Sequence, residues 1–573
     1  MTGAEAIAAL LRAQAIGSVF SVAGASHTYL LDALDRAGVA ILSNRHESGA
    51  VGCADGYARA MADQRPERVG VALIVRDQGL ANAVGGLAVA YAAGSPVVVL
   101  VAAPSAGTAE AAALLDHDQL ALVAPVSKWA RTVPGPERLV DYVQTAIRQA
   151  LDGRPGPVVL VIPQDLFQAE IEDFEPQPYV RPIALPDPVT LDAAAEILSA
   201  ARRPLAIAGL GAQRGGAGAA LRALAERGVP VLGNGSGRGL VAEDHRTGFS
   251  WPYAQRAAIL SDCVVVVGEV LTQRLGFGLP PRFAADAKFI QLDCDGSAFS
   301  RNRRTDGALL GEPGPTLEAL LARTSAGWDE AWLGEMLTEK AVFLDERARR
   351  AGPAIHPLAL GRLLAAHLGS ETMLVGDGAD IQNWMYGALQ VQRPGGFMDH
   401  YPLGAMGSGT ALAVGAAAAL AERARASGGQ APTTLLVTGD GSIGFHPAEL
   451  HAAALAGLDL KVVVGNDAAW GTEAHGQMQA LGRTINTELG WLPYARLAEA
   501  FGLAGATCDT LADLPDAVAH LMATRGPALL DVRLDRRAGA ELKNEPLASS
   551  ILFSDLSDGQ NALATPGQFG IPN

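Results

Sequence analysis

The run Gly439-Asp440-Gly441-Ser442, with Asn466-Asp467 beginning twenty-four positions beyond Ser442, puts a phosphate loop and two oxygen ligands for a small divalent cation into one stretch of chain. Glycines let backbone N–H groups approach a phosphate closely. The hard oxygens of Asp440 and Asp467 suit Mg²⁺, which keeps substrate phosphates in its shell, and Ca²⁺ also fits such ligands. The pattern predicts a Mg²⁺-diphosphate grip. GDG by itself is common in ordinary turns, so the prediction rests on its flanks. TLLVTGDGS is apolar and β-branched up to its glycine, and LKVVVGNDAAWG (460 to 471) repeats that form. Both read as buried strands, which sets Asp440 and Asp467 side by side at the carboxyl ends of neighbouring parallel strands.

Two further segments belong with this grip. SNRHESGAVGCADGYARAMA (43 to 62) starts at a strand end and becomes a small-residue helix, with Glu47 at the turn. In DHYPLGAMGSGTALAVGAAAAL (399 to 420), glycine and alanine allow close packing ahead of a helix. Singly, Glu47 reads as a solvated helix-start residue and Met406 as core filling. Taken together with GDGS and ND, the segments resemble the cofactor signature of thiamine diphosphate enzymes, which usually reads GDG followed by NN. The resemblance implies that Gly439, Asp440, Gly441, Ser442 and Asp467 bind the cofactor's diphosphate end, with Mg²⁺ on Asp440, Asp467 and the backbone carbonyl of Ala469. It implies that Glu47 bonds the aminopyrimidine ring and promotes the imino tautomer, whose nitrogen removes the thiazolium C2 proton. The carbonyl of Gly404 would accept a bond from the cofactor's amino group, and Met406 would wedge between the two rings. Asp467 departs from the family's usual Asn, keeping an oxygen ligand and adding negative charge.

Alternating helical and apolar strand patterns predict an α/β protein with three doubly wound parallel-sheet domains. A pyrimidine-binding domain carries Glu47 in residues 1–175, a central nucleotide- or CoA-binding domain spans 189–325, and a diphosphate- and Mg-binding domain spans 350–535. EPQPYVRPIALPDP (175 to 188) reads as a linker. The first and third domains are expected to share an architecture. The tail, 536–573, places Ile551, Leu552, Phe553, Leu556 and Phe569 among turn formers, which reads as a strap or lid over the active-site mouth. Such a lid would exclude water.

A 573-residue chain that is 49% apolar and 5% aromatic, with no apolar run as long as a membrane span and no secretory pattern at MTGAEAIAALLRAQ, reads as a cytoplasmic enzyme. Cys53, Cys263, Cys294 and Cys508 are too far apart for a zinc site or a disulfide framework. A net charge of −16 disfavours nucleic acid. In relatives of this architecture Glu47's counterpart and the diphosphate grip belong to different subunits, so the resemblance implies a homodimer or homotetramer.

The substrate reading starts from a first-domain loop and the central domain. Leu114-Leu115-Asp116 replaces the Phe-Gln-Glu of acetolactate synthases and the Tyr-Glu-Glu of oxalyl-CoA decarboxylases, which disfavours an acetolactate product and makes room for an apolar acyl group. The stretch SDCVVVVGEVLTQRLGFGLPPRFAADAKFIQLDCDGSAFSRNR resembles the central region of oxalyl-CoA decarboxylases and 2-hydroxyacyl-CoA lyases. There it would bind ADP or the ADP part of CoA, with Arg274, Arg301, Arg303 and Arg304 as phosphate partners and GLGAQRGGAG (209 to 218) as a cradle. The expected activity is a lyase that cleaves a 2-hydroxyacyl-CoA to formyl-CoA and a ketone or aldehyde. Glu488 is the candidate second acid/base, with His46, His117 and His475 in reserve. An oxalyl-CoA decarboxylase, a 2-keto acid decarboxylase or acetolactate synthase-like enzyme, and a non-catalytic thiamine- or nucleotide-binding protein are the alternatives.

Overall fold

Runs such as VVVLVAA and VVLVIP, apolar at every position, become strands buried along their whole length, which is the condition of a parallel sheet covered on both faces. The computed structural model describes residues 1–108, 111, 118–250, 257–280, 282–325, 327–328, 330–334, 337–338 and 354–538. Leu114, Leu115, Asp116, His117 and the tail beyond 538, with all its apolar residues named above, lie outside the described residues.

The first sheet contains β1 (Ser18–Ser21), β2 (Ala40–Ser43), β3 (Gly70–Val75), β4 (Val97–Ala103), β5 (Trp129–Thr132) and β6 (Val158–Pro163), in the order β2-β1-β3-β4-β6-β5. The second contains β7 (Pro204–Ala208), β8 (Val231–Gly233), β9 (Gly248–Phe249), β10 (Cys263–Val267), β11 (Lys288–Asp293) and β12 (Gly307–Leu310), in the order β12-β11-β10-β7-β8-β9. The third contains β13 (Met373–Gly376), β14 (Phe397–Asp399), β15 (Thr434–Gly439), β16 (Leu460–Asn466), β17 (Ala504–Cys508) and β18 (Ala528–Arg533), in the order β14-β13-β15-β16-β18-β17. The neighbouring strands pair in parallel. The first and third sheets have the same order, so the expected shared architecture is present. All three are doubly wound: the first reverses between β1 and β3, the third between β13 and β15, and the central sheet between β7 and β10.

The first and third sheets meet through two helices, Glu47–Met61 and Ser408–Ser427. Their approach is close because glycine lies at the contact. A Cβ on Gly56 would fall 2.1 Å from the carbonyl oxygen of Leu412, and one on Gly415 only 1.9 Å from that of Cys53. One apolar core therefore runs continuously from Phe20 and Val99 to Leu436 and Val462. Polar anchors fix the crossing. Arg59 forms a buried ion pair with Asp55 one turn earlier and donates to the carbonyl of Asp399 at 2.7 Å, at the end of β14. Among the described residues no helix is long and apolar enough to cross a membrane.

Candidate active site

The predicted strand endings are neighbours. β15 and β16 pair with Gly439 opposite Gly465, so the chain leaves both strands at one level and Asp440 and Asp467 follow directly. Gly439, Asp440, Gly441, Ser442, Asp467, Ala469 and Met406 line a single pocket at this sheet end, together with Gly378, Asp380 and Trp470. Gly404 lies two residues before Met406 at φ +79°.

The carboxylates fit a divalent cation. Asp440 is 3% exposed, and its Oδ2 has no hydrogen-bond partner while Oδ1 accepts from the Gly441 N–H at 2.9 Å. Burial and the charge of Asp467 push the Asp440 carboxyl well above the usual carboxylate range. Asp467 is raised too, by burial and by Asp380. A cation would remove both penalties. Among the described residues no cage of three or more His, Cys, Asp or Glu side chains is gathered. A cation here would thus draw on two carboxylates, a carbonyl and phosphate oxygens, the ligand set Mg²⁺ favours.

Several residues that sequence reasoning missed hold this loop in place. Tyr494 donates its hydroxyl to the carbonyl of Asp440 at 2.9 Å. Asn466 accepts from the Ala468 N–H (3.1 Å) and donates to Asp531 (3.0 Å), which secures Ala468 at φ +59° in the turn that aims Asp467 and Ala469. A Cβ on Gly441 would meet the Trp470 ring at 2.3 Å, so that loop position admits glycine alone.

The sequence holds a second GDG, at 376–378, and structure separates the two. Asp377 at the end of β13 is fully buried and points away from any ligand role. It accepts from the N–H groups of Gly378 (2.7 Å), Gly407 (3.1 Å) and Gly409 (2.9 Å), and His400 lies 3.3 Å away. It is the clamp for the Gly404–Met406 loop. The neighbouring Asp399 does the same from β14. It pairs with Arg274 at 3.1 Å, accepts from Gln382 (3.1 Å) and from the Tyr386 hydroxyl, and receives the Tyr401 N–H at 3.2 Å.

That pairing corrects the expectation for Arg274. Its guanidinium is buried over the rings of Tyr386 and Tyr401, 4.3 Å from each, and serves the third sheet rather than a phosphate. Arg303 is likewise committed, donating to the carbonyls of Ala284, Ala285 and Ala287 and lying over Phe289. Arg301 and Arg304 remain exposed. The glycine-rich 209–218 segment is also spent on packing. The Gly209 N–H bonds the carbonyl of Val267 (3.1 Å) and that of Gly211 bonds Gly268 (3.0 Å), so neither is turned to a phosphate.

Glu47 opens its helix, 8% exposed, and accepts from Asn82 Nδ2 at 3.0 Å. His46 caps that helix, its Nδ1 accepting from the Ser48 N–H at 3.1 Å. Glu47 is not among the residues lining the Asp440 pocket of its own chain. Glu488 sits beside the Asp467–Ala469 turn, its backbone bridged to Ala469 and its exposed carboxylate held by Arg536 through bonds of 2.8 and 2.9 Å. His475 lies 3.8 Å from Asp380.

Comparison with known proteins agrees with this geometry. Residues 1–122, 191–320 and 377–532 match the models for the N-terminal TPP binding domain, the central domain and the C-terminal TPP binding domain of thiamine pyrophosphate enzymes. The chain is 30% identical to a probable acetolactate synthase of Mycobacterium bovis, over 93% of this chain and 96% of that protein. It is 26% identical to the sulfoacetaldehyde acetyltransferase of Castellaniella defragrans over 96% of both. It is 27% identical to 2-hydroxyacyl-CoA lyase 1 of Mus musculus over 93% of this chain and 94% of that protein. These relatives differ in activity, so the similarity fixes the family and leaves the substrate open. With three matched domains and near full-length relatives, the chain belongs to the thiamine pyrophosphate enzyme family.

Proposed function

We propose that this enzyme is a carbon–carbon lyase that cleaves a 2-hydroxyacyl-CoA, 2-hydroxyisobutyryl-CoA among its substrates, to formyl-CoA and a ketone or aldehyde. The observation that carries the reading is the carboxylate of Glu488, exposed beside the metal turn and oriented by Arg536. Cleavage next to a hydroxyl needs a base to take the hydroxyl proton, a role that loss of CO₂ does not require. The apolar Leu114-Leu115 favours an alkyl substituent on the substrate.

Bound thiamine diphosphate supplies a carbon nucleophile and an electron sink. Asp440, Asp467 and the carbonyl of Ala469 would hold Mg²⁺, and Tyr494 and Asn466 keep those ligands aimed. Met406 would support the cofactor's rings, Glu47 would hold the proton at the aminopyrimidine nitrogen, and Glu488 would take the proton of the 2-hydroxyl. That Glu47 does not line its own chain's Asp440 pocket supports a homodimer or homotetramer in which a second copy completes each site.

The acetolactate synthase relatives favour a second reading, condensation of two 2-keto acids. Mass analysis after separate incubations with 2-hydroxyisobutyryl-CoA, oxalyl-CoA and pyruvate distinguishes the readings. Acetone with formyl-CoA from the first is expected. Acetolactate from pyruvate, or CO₂ with formyl-CoA from oxalyl-CoA, without acetone formation from the first substrate, overturns the lyase assignment. Glu488→Gln is expected to slow cleavage by about 10²-fold.

A further inference from the structure

The segment that carries Glu47 is held by a residue no motif marked. Glu449 begins the helix Glu449–Leu455, a few residues beyond the Asp440 loop, and is 0% exposed. Its Oε1 accepts from the backbone N–H groups of Arg45 (3.1 Å) and His46 (3.0 Å), and its Oε2 accepts from Asn44 Nδ2 at 2.7 Å. The three residues before Glu47 thus hang from one carboxylate that belongs to the third sheet's unit. Contacts on either side reinforce the grip: the His46 ring lies 5.6 Å from that of His446, and Arg45 Nη2 lies 2.9 Å from His451 Nδ1. Space has been cleared for it as well, since a Cβ on Gly49 would fall 2.2 Å from Glu449 Oε1. Glu449 does not line the Asp440 pocket.

We propose that Glu449 is a positioning residue for Glu47, setting the start of the Glu47–Met61 helix so that the Glu47 carboxylate meets the aminopyrimidine nitrogen. The proposal rests on the reading of Glu47 as the acid that activates the cofactor. Its physical basis is reach. A buried acceptor that satisfies two consecutive backbone N–H groups fixes the chain there, and catalytic geometry tolerates only about 0.5 Å of error. Charge is secondary. Glu449→Gln keeps Oε1 for Arg45 and His46, and once the Asn44 amide turns over, giving up its Nδ2 bond to Cys53 Sγ, the new amide donates to Asn44 Oδ1, which has no partner in the native arrangement. Glu449→Asp keeps the charge and falls one methylene short.

The test compares Glu449→Asp, Glu449→Gln and Glu47→Gln in the full chain. Two rates are read: exchange of the Arg45 and His46 amide hydrogens without cofactor, and exchange of the thiazolium C2 proton of bound thiamine diphosphate, followed by NMR after acid quench. In Glu449→Asp both amides are expected to exchange at least ~10-fold faster and the C2 proton ~10–100-fold more slowly, while Glu449→Gln stays within about threefold of the native protein. Native C2 exchange in Glu449→Asp, or equal slowing in Asp and Gln variants, overturns the positioning role. Native C2 exchange in Glu47→Gln instead overturns the underlying reading of Glu47.

Discussion

At the scale of single residues, two identical tripeptides do opposite work. Gly439-Asp440-Gly441 presents a carboxylate to a pocket, while Gly376-Asp377-Gly378 turns its carboxylate onto the backbone of the loop carrying Met406. Asp377→Asn sets an amide N–H against one of those backbone donors and should weaken thiamine diphosphate binding by ~10–100-fold, as loss of a supporting partner does at comparable sites. Titration of the cofactor against tryptophan fluorescence measures this, and an unchanged affinity removes Asp377 from the site. Gly441→Ala meets Trp470 and should abolish cofactor binding, with Gly441→Ala/Trp470→Ala recovering part of it. No recovery in the double variant would show that the obstruction lies elsewhere. Glu47 was legible because a glutamate at a strand-to-helix turn is a local pattern. Glu449 was not, because its partners are some four hundred positions away and nothing in AELHAAAL distinguishes it.

At the scale of elements, the join between helices Glu47–Met61 and Ser408–Ser427 depends on missing side chains. Gly415→Ala drives a methyl into the Cys53 carbonyl, an overpacking that should cost ~1–3 kcal/mol or more and lower the denaturation midpoint in urea. An unchanged midpoint would falsify the packing account. In the central sheet, burial pushes the Glu269 carboxyl at the end of β10 up to about 7, against an ordinary value of 4.5, even with Asn234 donating to it at 3.0 Å. The folded chain therefore holds a proton that the unfolded chain has released, and stability falls as pH rises between those values. Glu269→Gln removes that fall. Its thermal midpoint should match the native one near pH 5 and exceed it by roughly 1–3 °C above pH 7, and parallel curves would rule Glu269 out.

At the scale of the molecule, Glu47 is not among the residues lining the Asp440 pocket of its own chain. Glu47→Gln and Asp440→Asn variants, each inactive alone, should regain activity when coexpressed. If each site draws Glu47 from one copy and Asp440 from another, random pairing in a dimer leaves about a quarter of all sites intact. Mixed protein with no activity would mean that each chain builds its own site. The shared order of the first and third sheets suits this arrangement, because two similar units can pair across a two-fold axis as well as within a chain.

The sequence by itself determined the strand endings, the alternation that gives three parallel sheets and the residues of the cofactor signature, since each is a short-range pattern of apolar runs, glycines and turn-forming polar residues. Tertiary structure decided which carboxylate faces the pocket, that Arg274 and the 209–218 glycines serve packing, and that Asp377, Tyr494 and Glu449 aim the site. The reason is range: a motif specifies its own backbone, whereas the direction of a buried side chain depends on donors brought to it from distant elements.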